Sequence, residues 1–146
     1  MKKTITVLTL LLNTVVNYAQ DPSILWQRTI GGSEWDQPAF ITPTNDGGFA
    51  VGGYSESNIS GEKTENSRGG YDYWILKFDN SGNIQWQRTL GGSEDDYLRK
   101  IIQTSDNGFL AVGYSSSDIS GDKTENSLGG TDYWILKLDE AGNIMW

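Results

Sequence analysis

This 146-residue sequence predicts an all-β fold built from two copies of one antiparallel unit. Three observations carry that prediction. First, the chain repeats itself at an offset of 60 residues: Trp26-Gln27-Arg28-Thr29-Ile30-Gly31-Gly32-Ser33-Glu34 recurs as Trp86-Gln87-Arg88-Thr89-Leu90-Gly91-Gly92-Ser93-Glu94. Likewise Asp72-Tyr73-Trp74-Ile75-Leu76-Lys77 recurs as Asp132-Tyr133-Trp134-Ile135-Leu136-Lys137, and about 38 of the 60 aligned positions are identical. Second, the 18 glycines and 6 tryptophans are many for a chain of this length, a composition that suits turn-rich β structure with aromatic packing. Third, beyond residue 20 no stretch sustains the 3.6-residue apolar period of a helix.

Composition also excludes several functions. Without Cys or His there are no disulfides, no thiolate or imidazole metal ligands, and no Cys-His or Ser-His-Asp chemistry. A formal charge of -8 weighs against a nucleic-acid partner, because phosphates demand Lys and Arg.

The elements follow in order. Residues 1–19 read as a signal peptide: basic Lys2 and Lys3, an apolar run from Thr4 to Val16, then Asn17-Tyr18-Ala19 with cleavage expected after Ala19. That run is shorter than the ~20 residues a membrane-spanning helix needs, so the mature chain is expected to carry no transmembrane segment. Residues 20–146 hold the repeats, 26–85 and 86–145. In the second, Tyr97–Thr104 is a strand, Ser105-Asp106-Asn107-Gly108 a turn, Phe109–Tyr114 a strand and Ser115–Thr131 a long polar loop. Asp132–Leu138 is the third strand, with Trp134, Leu136 and Leu138 on one face by the two-residue period. After the Asp139–Asn143 turn, Ile144-Met145-Trp146 begins a fourth. The first repeat shows that strand whole, with Ile84, Trp86, Arg88 and Leu90 on one face and Gln85, Gln87 and Thr89 on the other. Ile24–Ile30 is expected to be another strand of this fourth type.

A four-stranded antiparallel unit recurring at this length is the sequence form of a β-propeller blade. The prediction is therefore two consecutive blades, an incomplete propeller, with Trp74, Trp86, Trp134 and Tyr73 packing between blades. An open stack of β units and a single eight-stranded sandwich are the competing architectures. Closed propellers use four to eight blades, so the chain is expected to be the N-terminal part of a longer repeat protein; the alternative is a genuine short protein that oligomerises to complete a ring. Its open β edges are expected to favour self-association.

The motifs Trp86–Tyr97, Gln103–Phe109 and Gly129–Ile144 resemble the tandem repeats of large secreted β-propeller-like proteins in bacteria with type IX secretion. The resemblance covers nearly all of residues 20–146. It implies an exported or surface-displayed protein, and it transfers no catalytic residue.

The acidic runs Glu34-Trp35-Asp36 and Glu94-Asp95-Asp96 recur between repeats, which points to a structural need of each unit. In the long loop, Asp118, Ser120, Asp122 and Glu125 are spaced as candidate calcium ligands. Lys123 sits among them and the order is not that of an EF-hand, so an ion-free loop is the simpler expectation. Trp35 and Tyr71 are candidate ligand-stacking aromatics, because the second repeat has Asp95 and Thr131 at those places. The sequence thus predicts a secreted or cell-surface module that binds a protein or glycan, with no cofactor and no catalysis of its own. The alternative is a fragment of a larger secreted propeller enzyme whose active site lies in other blades.

Overall fold

The computed structural model describes residues 22–146. The expected signal peptide, residues 1–19, lies outside them. Among the described residues seven strands form two antiparallel sheets, and no helix is long and apolar enough to cross a membrane. β1 (Asp36–Pro43), β2 (Phe49–Ser55), β3 (Asp72–Phe78) and β4 (Ile84–Leu90) pair in sequence order as the first sheet. β5 (Asp96–Gln103), β6 (Phe109–Ser115) and β7 (Asp132–Leu138) form the second in the same way.

The repeat is reproduced in register. Tyr54 pairs with Tyr73 and Tyr114 with Tyr133; Val51 pairs with Leu76 and Ala111 with Leu136. Even the irregularity of the first hairpin recurs, a bulge after Pro38 in one sheet and after Leu98 in the other. The β1–β2, β3–β4 and β5–β6 pairs are joined by tight turns, and long loops join β2 to β3 and β6 to β7. In the turns after β3 and β7 an Asp side chain caps backbone N–H groups: Asp79 Oδ1 accepts from Ser81 N and Asn83 N, and Asp139 Oδ1 from Asn143 N.

The second sheet packs on one face of the first. Tyr73, Ile75 and Leu90 from the first sheet close on Leu98, Ile101 and Phe109 from the second, with Phe40 and Trp86 at the margin. Gly52 makes this approach possible: a Cβ there would lie 2.4 Å from Leu98 Cδ2. Trp134, Leu136 and Leu138 share a buried face, as their spacing predicts. Trp74 does not join Trp86, Trp134 and Tyr73 between the sheets. It lies on the opposite face of the first sheet with Leu76 and Phe78, packed against Ile30 and Phe49, because adjacent residues of a strand point to opposite faces.

Two further expectations are corrected. A bulge opposite Lys77/Phe78 turns Ile84 away from Trp86 and onto the Trp74 side. Ile24–Ile30 is not a strand here. It still sits over the first sheet much as β4 sits over the second. Trp26 stacks near Phe49 at 6.4 Å and lies on Gly82, while Trp86 meets Phe109 at 5.5 Å and lies on Gly142. The position thus follows the repeat while the backbone pairing does not, since no described strand lies beside it.

Residues 144–146 begin a fourth strand on β7. Ile144 bridges Leu138, and Met145 N and Trp146 O bond to Lys137.

Candidate functional site

Two places along the boundary between the sheets concentrate chemistry. The first is a cleft of about 640 Å³ at the hairpin-turn end. The β1–β2 turn brings Asn45 and Asp46, the end of β5 brings Gln103, the β5–β6 turn brings Asn107, and β4 contributes Gln85 and Trp86. These turns meet because the sheets pack in repeat register. Asn45 N donates to Gln103 Oε1 at 2.8 Å and Asn45 Nδ2 to Asn107 Oδ1 at 3.0 Å. Asn107 holds a left-handed backbone, φ 63°, where the first repeat has Gly47 at φ 83°; asparagine tolerates that region better than other side chains.

Lys77 anchors the cleft's inner wall. It is buried, and its Nζ donates to Asp46 Oδ2 at 2.7 Å, Gln85 Oε1 at 2.8 Å and the Phe78 carbonyl at 2.9 Å. Hydrogen bonds from Lys77 and Thr44 hold the Asp46 carboxyl well below the usual carboxylate range. Trp86 spans the wall with its Nε1 donating to the Glu140 carbonyl at 3.1 Å, so its ring is fixed in place. The cleft therefore offers carboxamides, a carboxylate and a rigid indole. Each carboxamide spends only part of its donor and acceptor capacity on the protein.

The second place is a row of four tyrosines at the other end of the boundary. Tyr54 meets Tyr71 at 5.4 Å and Tyr97 at 4.8 Å, both edge-on, and Tyr97 meets Tyr114 at 5.3 Å. The Arg99 guanidinium lies 4.8 Å above the Tyr114 ring and donates to its hydroxyl. The hydroxyls bond to side chains beside the row: Tyr54 Oη donates to Gln37 Oε1 at 2.8 Å and Tyr97 Oη to Asp95 Oδ2 at 2.9 Å. Burial, then the Asp95 hydrogen bond and charge, push the Tyr97 hydroxyl up to about 12. Burial and Glu56 likewise raise Tyr71. With its hydroxyls engaged and its rings on one another, the row is a seam between the sheets.

Trp35 and Tyr71 both lie near this seam. Trp35 is 62 % exposed and its carbonyl accepts from Glu56 N, while Tyr71 Oη reaches Glu56 Oε1 at 3.5 Å. Tyr71 belongs to the row. Its partners Tyr54, Tyr97 and Tyr114 were missed by sequence reasoning, although Tyr54 and Tyr114 are a repeat pair flanking the same bend.

The four loop oxygens proposed for calcium go separate ways. Asp118 Oδ1 accepts from Ser127 N at 3.1 Å, and Ser120 Oγ accepts from Ser93 N at 2.8 Å. Asp122 pairs with Arg68 at 3.1 Å and accepts from Gly91 N at 3.2 Å. Glu125 is exposed, with its carbonyl on Lys123 Nζ at 2.9 Å. Among the described residues no three acidic side chains are grouped to hold a metal ion.

The recurring acids bind backbone. Asp36 Oδ2 accepts from Gly32 N at 2.6 Å and Asp96 Oδ2 from Gly92 N at 2.7 Å. They differ at the other oxygen. Asp36 Oδ1 takes the Ser55 hydroxyl at 2.5 Å, whereas Asp96 Oδ1 is buried without a partner, as is Asp72 Oδ1. Asp72 and Asp96 both border Gly91, where a Cβ would lie 1.6 Å from Asp72 Oδ1 and 2.9 Å from Asp96 Oδ2. Burial first, with the Asp96 charge adding, pushes the Asp72 carboxyl up to about 6.

No family model matches this chain, and no curated protein matches it significantly.

Proposed function

We propose that this chain is an exported, non-catalytic binding module whose two sheets are consecutive β-propeller-like blades. On this reading it takes a glycan or another polyhydroxylated ligand in the cleft between the repeats. The N-terminal pattern of residues 1–19 supports export. The repeat and its resemblance to type IX-associated tandem-repeat proteins support a secreted or cell-surface address. The observation that carries the ligand reading is the cleft lining: carboxamides of Asn45, Gln85, Gln103 and Asn107 beside the fixed indole of Trp86. Planar amides donate and accept at once, which suits sugar hydroxyls, and an indole face suits the apolar side of a pyranose ring. The acidic surface disfavours polyanionic glycans, so neutral oligosaccharides are the expected class.

Screening the purified chain on a glycan array, followed by calorimetry with the best neutral oligosaccharide, tests this. Gln85→Ala and Gln103→Ala are expected to weaken binding at least tenfold, while Trp35→Ala leaves it unchanged. Absence of any glycan ligand, or binding that only Trp35→Ala removes, contradicts the reading.

A further inference from the structure

We infer that the two outer sheet faces of this structure bind each other, so that a second copy of the chain docks head-to-tail through the same contact that joins its two repeats. The near face of the first sheet carries Ile41, Trp74 and Leu76. These are the repeat counterparts of Ile101, Trp134 and Leu136, with which the second sheet closes on the first. The far face of the second sheet carries Tyr133 and Ile135, counterparts of Tyr73 and Ile75, the other half of that contact. Ile101, Tyr73 and Ile75 are each 0 % exposed; Ile41, Tyr133 and Ile135 are 60 %, 89 % and 47 % exposed. Trp74 and Leu76 are already packed with Ile30 and Val51, at 5 % and 4 % exposed. The chain therefore shows a buried joint, its far half left open, and its near half open at Ile41 and the groove beside it.

The substitutions between repeats keep the two open halves matched. Inside, Gly52 receives Leu98. At the outer faces their counterparts are Val112 and Pro38, so the larger side chain has moved to the other partner and the smaller one opposes it. Lys100 Nζ lies 5.2 Å over the Phe40 ring inside the chain. Both side chains are thus spent on the internal joint. Tyr73 Oη, which donates to the Trp134 carbonyl at 3.0 Å beside Gly113, has its equivalents in Tyr133, Trp74 and Gly53.

A strand and an edge match as well. Gln87–Leu90 pairs with Tyr73–Leu76. Its counterpart Gln27–Ile30 lies in no described sheet, and the outer edge of Tyr133–Leu136 has no described strand beside it. Gln27–Ile30 of the incoming copy fills that edge. The apolar groove of about 200 Å³ between Ile30, Pro38, Val51 and Trp74 is where the far face of the partner enters.

The polar margin is not reproduced. The Arg68–Asp122 ion pair becomes Leu128 opposite Glu62, and the Asn45–Gln103 bond becomes Ser105 opposite Pro43. Association between copies is thus weaker than the internal joint and depends on concentration. Because the contact is heterologous, it closes a ring or runs on as a filament.

Sedimentation velocity over a concentration series tests this with the purified chain, Ile41→Asp and Tyr133→Asp. Both side chains are exposed, so neither change is expected to disturb the fold, which far-ultraviolet dichroism checks. The unmodified chain is expected to assemble beyond a dimer. Each variant alone is expected to be monomeric, because each lacks one half of the joint. An equimolar mixture of the two is expected to give a heterodimer and nothing larger. An unmodified chain that stays monomeric, a single variant that still self-associates, or a mixture that stays monomeric overturns the inference. Since the chain has no native Cys, Arg28→Cys mixed with Ile135→Cys reports the strand register. An interchain disulfide is expected, because the equivalent pair Ile75 and Arg88 are direct neighbours. Cross-linking no better than with a Cys at exposed Ser81 contradicts it.

Discussion

Tyr73 and Tyr133 occupy the same place in β3 and β7, with the same neighbours in sequence, yet one is sealed and the other is 89 % exposed. The two sheets differ mainly in what lies against them. The first has a second sheet on its far face; the corresponding face of the second has no described neighbour. Asp72 and Asp132 show the electrostatic side of the same difference. Asp72 is fully buried beside Asp96, with one oxygen unpaired and its carboxyl raised to about 6. Asp132, in the same turn, is held below the usual range by the Leu128 N–H and the Ser127 hydroxyl. Identical residues with opposite shifts show that the neighbouring repeat, more than the local sequence, sets the energetics of each unit.

The comparison can be broken residue by residue. The largest effect is expected at Leu98, which is fully buried in the joint. Leu98→Ala should destabilise by about 2–5 kcal/mol through lost burial and the cavity left behind. Its exposed counterpart, changed as Pro38→Ala, should move stability by less than about 1 kcal/mol. Urea denaturation of both variants measures the pair.

Gly52→Val copies into the first sheet the residue the second sheet has at 112. With a Cβ position 2.4 Å from Leu98 Cδ2, overpacking should cost about 1–3 kcal/mol. Val112→Gly, on the open face, should cost less than about 1 kcal/mol, mostly from backbone freedom.

Asp72→Asn sharpens the electrostatic contrast. Because the folded value of Asp72, about 6, exceeds the ordinary 3.8, the folded chain holds more proton than the unfolded between those values. The stabilisation tied to that proton is complete below about pH 4 and is lost as pH rises through 6. The chain should therefore melt at a higher temperature at pH 5 than at pH 7. Asp72→Asn should remove that rise and stabilise the chain at pH 7 by about 1–3 kcal/mol, since an amide can donate toward Asp96. Asp132→Asn should be neutral or mildly destabilising. Thermal unfolding of the unmodified chain and both variants at both pH values checks these outcomes.

The smallest effect is expected at the boundary ion pair. Arg68 and Asp122 are partly solvated, so Arg68→Ala should cost about 1 kcal/mol or less, and added salt should shrink the difference.

Much of this was legible in the sequence. The 60-residue offset fixes both sheets, and the period of two places Trp134, Leu136 and Leu138 on one buried face. What escaped was set by contacts at a distance. The bulge that turns Ile84 across the sheet comes from the pairing of β3 with β4, which the alternation in β4 does not encode. Ile24–Ile30 has the sequence of β4 and lacks the partner that would make it a strand. At the site, Tyr71 was marked because it differs between repeats. Tyr54 and Tyr114 were not, since residues shared by the repeats give no such signal; Tyr97, which stands where the first repeat has Gln37, carried the same signal and was overlooked. The cleft was invisible because Asn45 and Gln103, 58 residues apart, belong to unremarkable turns until the sheets are packed.

The most direct test of the account is to make Tyr73→Ala and Tyr133→Ala and compare their unfolding free energies at low protein concentration, where the chain is monomeric. The account predicts a loss of about 3–5 kcal/mol for Tyr73→Ala and less than about 0.5 kcal/mol for Tyr133→Ala. Equal losses would contradict it, because the two repeats would then be stabilised from within and not by the sheet packed against them.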